Sequence, residues 1–439
     1  MDQFPGVQKA EAAVLVWSRP ALYSTYAWIW ICFFMLALHS SISGTVMRYA
    51  YGDLGNAPQV STAGMLSSII GGVLKLPCAK ILSIWGRTVG FYFLLVFMCL
   101  ESSFLQLVTI QAVTLLDMFC IEFGYTQIYM IMDVFIADTS GLRNRAFAFA
   151  FASTPFICTA FTGPLAGQSF LDHSTWRWGY GVFAIVMPFV LVPLALVFKF
   201  YEKKAIELGV VKKEKRGRTA MQTFFHYFHE FDIVGCFLLM AAFVIFLLPF
   251  TLASYGRSQY SSVTFIAMVI VGFYISPVFF PWERFGARKH FIRWELLSDR
   301  TVLGACCLSA ISFLSFYCWD LYFFQFVSVV YDLNESMAGY MLQIHNIGSC
   351  FWGVVFGVWV RYVKHFKYTC LFFGLPLMIL GAGLMFHFRG QDENIGYIVM
   401  CQIFVAFGGG ALVIGEYMAI MCVADIEGVP MMLALIGLF

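Results

Sequence analysis

Long apolar runs separated by short polar connections dominate the chain. A helix of about 20 mainly apolar residues crosses the hydrocarbon core of a membrane and satisfies its own backbone polar groups. The pattern predicts an all-α membrane protein with about twelve complete transmembrane helices. We count twelve runs of this length, at residues 25–47, 60–79, 89–112, 114–136, 146–169, 179–198, 232–253, 261–281, 301–324, 337–360, 368–388 and 396–415.

A thirteenth apolar run begins at Val429 and reaches the last residue of the sequence, Phe439. It is too short to span a bilayer. We expect it to be a partial thirteenth helix, in a chain truncated relative to longer relatives. The alternative is an interfacial or hairpin end.

Basic residues collect on one side of the predicted topology. Every second connection is rich in Lys and Arg, and the richest lies between Lys199 and Arg218, whereas the other side holds only Arg48, Arg177, Arg257 and Arg389. Cytoplasmic loops retain positive charge. The asymmetry therefore predicts a cytoplasmic N-terminus.

The same topology predicts four segments. The chain would begin with a cytoplasmic segment at 1–24 and a first six-helix bundle at 25–199. A basic cytoplasmic linker with an interfacial helix would follow at 200–231, because its end interleaves aromatic residues with His and Glu. A second helix bundle, incomplete at its C-terminal end, would occupy 232–439.

Composition agrees with lipid as the main solvent. The chain is 61% hydrophobic and 12% charged, whereas soluble domains carry about 25% charged residues. The thirteen cysteines are dispersed, and neither a triphosphate-binding loop nor a zinc or hydrolase motif is present. We expect no enzyme activity, cofactor, resident metal or nucleic-acid partner, and a monomer surrounded by membrane lipid.

Two loop segments carry family motifs. Leu76–Gly90 resembles the loop signature of the major facilitator superfamily, which Gly86 and Arg87 match, while Ser83 stands where an acidic residue is usual. Asp133–Arg145, DVFIADTSGLRNR, is similar to the end of helix four and the following loop in fungal siderophore-iron transporters, a branch of that superfamily. The likeness extends from about residue 15 onward, with further matching segments at Thr175–Leu194, Asp299–Phe323, Ala338–Gly357 and Leu375–Gly390.

The resemblance implies a major facilitator fold whose two halves rock about a midplane site. It also implies import of ferric siderophore, of hydroxamate type, by proton symport across a plasma membrane or an endosomal or vesicle membrane. Iron would arrive inside its chelator, in agreement with the lack of a metal-ligand motif. Two alternatives stay open. One is a drug or toxin proton antiporter of the same fold, since Thr162–Gly167 partly matches an antiporter motif, and the other is a nonfunctional truncated membrane protein.

Helix four carries the strongest candidates for proton coupling. Glu122, Thr126, Tyr129 and Asp133 recur on one helical face, and ionisable groups within membrane spans are costly enough to suggest function. A carboxyl group whose exposure alternates can bind a proton on one side and release it on the other. Asp133 is the first candidate, and its alternative role is a structural pair with a cytoplasmic arginine. For Glu122 the alternative is a packing hydrogen bond.

Four loop residues are candidates for gating. Gly86 and Arg87 follow the second predicted helix, and Arg143 and Arg145 follow the fourth. Both connections lie on the cytoplasmic side of the predicted topology. We therefore expect them to take part in opening and closing that side.

Further candidates for substrate contact lie in three helices. A bulky ferric chelate with exposed carbonyl groups suits aromatic walls with a few amide, hydroxyl or imidazole groups. For the aromatic residues the alternative is an interfacial belt. Glu416, near the end of the twelfth run, is either solvated or functional. The predicted substrate contacts are His39 in helix one, Trp319, Asp320 and Tyr322 in helix nine, and Gln343, His345 and Asn346 in helix ten.

Overall fold

A computed structural model describes most of the chain, namely residues 16–53, 60–107, 111–208, 221, 227–254, 260–286, 292, 294–333, 335–390, 394–425 and 428–438. Within these ranges the chain is helical and contains no strand. The side chain of Glu122 and most of the predicted linker lie outside the described residues.

Seven helices lie between Arg19 and Glu207 in the described part of the chain. The helix is interrupted between α5 and α6 because Pro155 cannot donate a backbone hydrogen bond. The predicted run at 146–169 therefore contains two helices. The helices are α1 (Arg19–Asp53), α2 (Val60–Ile84), α3 (Arg87–Leu107), α4 (Gln111–Thr139), α5 (Leu142–Ser153), α6 (Pro155–His173) and α7 (Trp176–Glu207).

From Ile233 onward the described residues contain nine further helices, and short π-helical turns adjoin some of them. Trp282–Gly286 continues α9, and Cys370–Gly374 joins α13 to α14. The helices are α8 (Ile233–Ser254), α9 (Val263–Pro281), α10 (Trp294–Leu297), α11 (Arg300–Val330), α12 (Glu335–Val363), α13 (Lys367–Thr369), α14 (Leu375–His387), α15 (Ile395–Val423) and α16 (Val429–Ile436).

Where its residues are described, each of the twelve predicted runs falls mainly on helical structure. Among the described residues, nine helical segments are long and apolar enough to cross a membrane. Helices α2, α3 and α4 contain 25, 21 and 29 residues. The chain is therefore an all-α, multi-pass membrane protein, and the count of twelve crossings stays a prediction.

Packing within each half follows from apolar and small side chains. In the first half α1 packs on α6 and α7, while α4 packs on α2 and α3. Phe33, Leu76 and Ile131 are fully buried there. In the second half α12 and α14 pack on α15. The backbone of α14 approaches Gly408 so closely that a Cβ atom there would lie 2.7 Å from the carbonyl oxygen of Gly374, which explains the glycine by close helix packing.

The two halves meet along several helices. Helix α12 packs on α5 and α6, α15 packs on α5, and α16 packs on α2 and α4. The α8–α9 pair instead contacts the first half through α2. The polar residues of α2, α4 and α15 therefore lie near one central interface.

Candidate functional site

A cavity of ≈ 220 Å³ lies between the two halves, where α2, α4, α6, α15 and α16 converge. Its apolar lining comes from Met130, Phe156 and Leu433. Polar groups reach it from both halves of the chain. They are Lys75 of α2, Tyr125, Thr126, Tyr129 and Asp133 of α4, and Tyr417 of α15.

Residues that the helical period places on one face of α4 lie together in the structure. Thr126, Tyr129 and Asp133 all line the cavity, since residues four and seven positions apart share a helical face. Glu122 falls on the same helix, but its side chain is outside the described residues. The arrangement presents a hydroxyl, a phenol and a carboxyl group to the same space.

Asp133 faces this cavity and is 8% exposed. Lys75 interacts with it electrostatically across the cavity, and Lys75 Nζ also donates to the carbonyl oxygen of Gly437 at 3.1 Å. Arg145 is engaged elsewhere, because its Nη2 donates to the carbonyl oxygen of Ala137 at 2.8 Å. Arg143 is exposed. The structure thus offers no ion pair between Asp133 and a loop arginine in the part of the chain it describes.

Aromatic rings form much of the cavity wall. The rings of Tyr125 and Tyr129 lie 6.2 Å apart, and Phe33 meets Tyr129 edge-on at 4.8 Å. On the opposite side Tyr417 stacks on Phe149 of α5 at 5.7 Å. Phenols combine apolar area with a hydrogen-bonding tip, so this wall can contact hydrocarbon and polar groups of one ligand.

His39 lies behind the cavity wall and not on it. Its ring is 6.2 Å from Tyr125 and 4.8 Å from Phe183. Ser43 Oγ lies 3.4 Å from His39 Nε2, whereas the buried Nδ1 atom has no hydrogen-bond partner among the described groups. His39 can therefore reach a ligand only after neighbouring aromatic side chains move.

The candidates of α11 and α12 form a separate group that does not line the cavity. Trp319 and His345 are 6.0 Å apart, and Phe316 lies 4.5 Å from His345. Asn346 Nδ2 donates to Gln343 Oε1 at 3.1 Å. Asp320 is half-buried. Tyr322 is 68% exposed, which suits the alternative of an interfacial aromatic residue better than a ligand contact.

The loop between α2 and α3 is held by a buried ion pair. Gly86 has a φ of 105°, which side-chain-bearing residues rarely adopt, and this turn aims Arg87 at the end of α4. Arg87 Nε donates to Asp138 Oδ2 at 3.0 Å, and Nη1 donates to the carbonyl oxygen of Leu82 at 3.0 Å. Asp138 of α4 thus supplies the negative charge that Arg87 meets, while Ser83 Oγ donates to the carbonyl oxygen of Ala79.

Sequence reasoning missed Lys75, Tyr417 and Asp138. Lys75 was detectable as a charge inside the apolar run at 60–79, and Asp138 stands in the family segment beginning at Asp133. No local sequence pattern identified Tyr417 as a site residue. Its position depends on how α15 packs against the first half.

Long apolar helices in two packed groups, with a polar cavity between them, define a multi-pass membrane transporter. No group of His, Cys, Asp and Glu that could hold a metal ion occurs among the residues whose structure is described. A family model described as Major Facilitator Superfamily matches residues 29–438.

Curated relatives match the whole chain. It is 62% identical to "Siderochrome iron transporter 2" of Aspergillus fumigatus over 100% of this chain and 72% of that protein. It is 42% identical to "MFS siderochrome iron transporter 1" of Ajellomyces capsulatus, over 100% of this chain and 74% of that protein. The chain belongs to the fungal siderophore-iron transporter family of the major facilitator superfamily, whose members are transporters and not enzymes.

Solved structures share the fold at low sequence identity. The human organic anion transporter MFSD10 (TETRAN) matches with a TM-score of 0.58 and 10% identity, over 94% of this chain and 89% of that one. A bacterial homologue of the iron transporter ferroportin, in its outward-facing state, matches with a TM-score of 0.55 and 9% identity, over 94% and 88% of the two chains. These similarities establish the fold alone.

Proposed function

We propose that this chain imports ferric siderophores of the hydroxamate type by proton symport. The observation that carries the proposal is Asp133, a carboxyl group on a cavity between the two halves of a chain whose relatives are named siderochrome iron transporters. We infer the substrate from those relatives, and we infer proton coupling from the carboxyl group. The plasma membrane or an endosomal or vesicle membrane would hold the protein, as a monomer in lipid with its N-terminus in the cytoplasm.

The cavity supports alternating access more than a permanently open channel. Its volume of ≈ 220 Å³ lies below the roughly 300–1,000 Å³ of pockets that hold drug-sized ligands, and a ferric chelate is bulky. The halves therefore separate on one side to admit the substrate. Its carbonyl oxygens then meet the donors of Lys75 and the phenols, while its hydrocarbon meets the aromatic rings.

Asp133 supplies the coupling in this mechanism. When the halves are open to the outside, its carboxylate takes a proton from water, and an O–H bond forms. The neutral group no longer attracts Lys75, so the halves can rearrange around the loaded site. When the cavity opens to the cytoplasm, the proton returns to water, and the restored pair with Lys75 favours release of the substrate.

The Arg87–Asp138 pair would stabilise the state in which the loop after α2 is docked on α4. Arg87 and Asp138 side chains are 4% and 5% exposed, so separating them exposes two charges. Opening of the cytoplasmic side requires this loop to move. The pair thus acts as a gate contact, with Gly86 as its turn, Arg145 as a second anchor on α4, and the exposed Arg143 beside it.

The antiporter alternative rests on Thr162–Gly167 in α6. Gly163 of this segment lies against Ser41 of α1, and Ser41 Oγ donates to the carbonyl oxygen of Thr159 at 3.4 Å. Close packing of α6 on α1 accounts for the glycine without an antiport role. Symport is therefore the function we propose.

Uptake of labelled ferric hydroxamate by an iron-starved, transporter-deficient yeast tests the proposal. Expression of the chain should increase cell-associated label, and a protonophore should abolish the increase. Loss of preloaded substrate from the cells would instead support the antiporter. No uptake by a chain that reaches the membrane would contradict the proposed import.

A further inference from the structure

Helix α15 carries a second buried carboxyl group that the proposed mechanism does not use. Glu416 lies within a membrane-spanning helix and is 2% exposed, so the expectation that it could be solvated is wrong. Ser312 Oγ of α11 donates to Glu416 Oε1 at 3.3 Å, and Ser309 also lies within hydrogen-bonding reach. The second half of the chain thus encloses a carboxyl group between two of its helices.

Glu416 lies without an ion pair in the part of the chain that the structure describes. Among the described residues, neither a lysine, an arginine nor a histidine forms an ion pair with Glu416. The titratable groups that face it are Cys306 of α11, Cys370 of the π-helical turn and Tyr417 of α15. The packed helices α5, α12 and α16 add no charged group to it within the described residues. A proton is therefore the simplest species that can cancel its charge, while the serine hydroxyls can stabilise the anion.

Tyr417 links this group to the central cavity. The phenol lines the cavity together with Asp133, and it interacts electrostatically with both Asp133 and Glu416. Its ring stacks on Phe149 of the first half at 5.7 Å. The two carboxyl groups, one from each half, thus share one neighbour at the interface that must rearrange during transport.

We propose that Glu416 is a second proton-binding group, in the second half, whose occupancy is linked to that of Asp133 through Tyr417. Protonation forms one O–H bond on the carboxylate with a proton taken from water, and deprotonation returns that proton to water. Because both carboxyl groups interact electrostatically with this one phenol, a change of charge at either of them alters the surroundings of their shared neighbour. The proposal rests on the proposed proton-coupled import and adds a second titration to it.

The test is the dependence of ferric hydroxamate uptake on external pH, measured per copy of protein at the cell surface. The variants are Glu416→Gln, which removes the titration, and Ser312→Ala, which keeps the carboxyl group and removes one donor. Glu207→Gln is the matched control, because that acid is 64% exposed and pairs with Lys203 on the surface of α7. Wild-type protein without pH-dependent uptake would refute the proposed function itself, before any variant is considered.

If uptake by the wild type depends on pH, we expect three results. Glu416→Gln should make the pH profile shallower, because one of two linked titrations is lost. Ser312→Ala should move the midpoint to higher pH by about one unit, the change expected when an anion loses one hydrogen bond. Glu207→Gln should follow the wild type.

Unchanged pH profiles in these variants would overturn the proposed role of Glu416. If Glu416→Gln and Ser312→Ala both reach the surface and both retain the slope and midpoint of the wild-type profile, Glu416 has only a packing role. If Glu416→Gln does not reach the surface, the Ser312→Ala profile decides alone. An unmoved midpoint in that variant overturns the inference.

Discussion

Asp133 is the residue on which the proposed proton coupling depends. Replacement by Asn keeps the size and hydrogen-bonding capacity of the side chain but removes its titration. We expect Asp133→Asn to lower uptake of ferric hydroxamate by on the order of a hundredfold, the scale on which loss of a positioned proton-transfer group acts, while surface expression changes little.

The control for this variant is Asp172→Asn, since Asp172 is exposed at the end of α6 and accepts a hydrogen bond from Gln168. Uptake and surface amount should both match the wild type. An equal loss of uptake and surface amount in Asp133→Asn would mean that Asp133 is structural.

Arg87 and Asp138 allow a test of the gate contact. Removing one partner of a buried ion pair leaves an uncompensated charge and costs about 3–5 kcal/mol. We expect Arg87→Met to lower the unfolding temperature of the purified protein strongly, and the double variant Arg87→Met with Asp138→Asn to recover part of the loss. Thermal unfolding in detergent measures both.

The exposed pair Lys203–Glu207 serves as the comparison, because surface pairs contribute about 1 kcal/mol or less and both side chains are more than half exposed. Lys203→Met should leave the unfolding temperature nearly unchanged. Equal and additive effects of Arg87→Met and Asp138→Asn would show that the pair is not coupled.

At the candidate site, the sequence predicts what lies on one helix but not what faces that helix. Helical periodicity places Thr126, Tyr129 and Asp133 on one face of α4, as the structure has them. Lys75 and Tyr417 come from α2 and α15, and no local pattern relates those helices to α4. Trp319 and His345, which the sequence predicts as further substrate contacts, form their own cluster away from this cavity.

Among the helices, α14 and α15 give the clearest packing requirement. A Cβ atom at Gly408 would lie 2.7 Å from both the carbonyl oxygen of Gly374 and the backbone nitrogen of Met378. Backbone atoms cannot move aside independently, so Gly408→Val should force the helices apart. We expect a lower unfolding temperature and less protein at the cell surface.

Gly383 of α14 provides the matched control. A Cβ atom there meets nothing within 4 Å, and alanine is about 1 kcal/mol more favourable than glycine inside a helix. Gly383→Ala should therefore be tolerated or slightly stabilising. Unchanged stability in Gly408→Val would contradict the close approach of α14 and α15.

The helices themselves follow largely from apolar run length, because a membrane-spanning backbone must satisfy its own hydrogen bonds. The exceptions have local causes. Pro155 divides the fifth run into α5 and α6, and the start of the eleventh run contains the π-helical turn Cys370–Gly374. Neither change alters which runs form spans. The predicted segment boundaries do not indicate that α8 packs on α2.

Across the molecule, the proposed transport cycle requires the contact between α5 and α12 to open and close. A Cβ atom at Gly357 would lie 3.0 Å from the carbonyl oxygen of Ala146 and from Cα of Phe147. Gly357→Leu should hold the halves apart at this contact. We expect substrate binding to persist while uptake falls by about tenfold or more. A tenfold loss corresponds to disfavouring one conformational state by about 1.4 kcal/mol.

Gly339→Leu on the same helix is the control, because a Cβ atom at Gly339 meets nothing within 4 Å. Binding of labelled ferric hydroxamate to purified protein, set beside uptake into cells, separates the two effects. Normal uptake by Gly357→Leu would show that the α5–α12 contact need not close during transport.

Transport by the purified chain under an imposed pH gradient tests the central claim most directly. Proteoliposomes containing the protein would be loaded at neutral pH and diluted into acidic buffer with labelled ferric hydroxamate outside. We predict accumulation of label above the external concentration, its collapse on adding a protonophore, and its absence with Asp133→Asn. Accumulation that is the same with and without the gradient would contradict proton-coupled import.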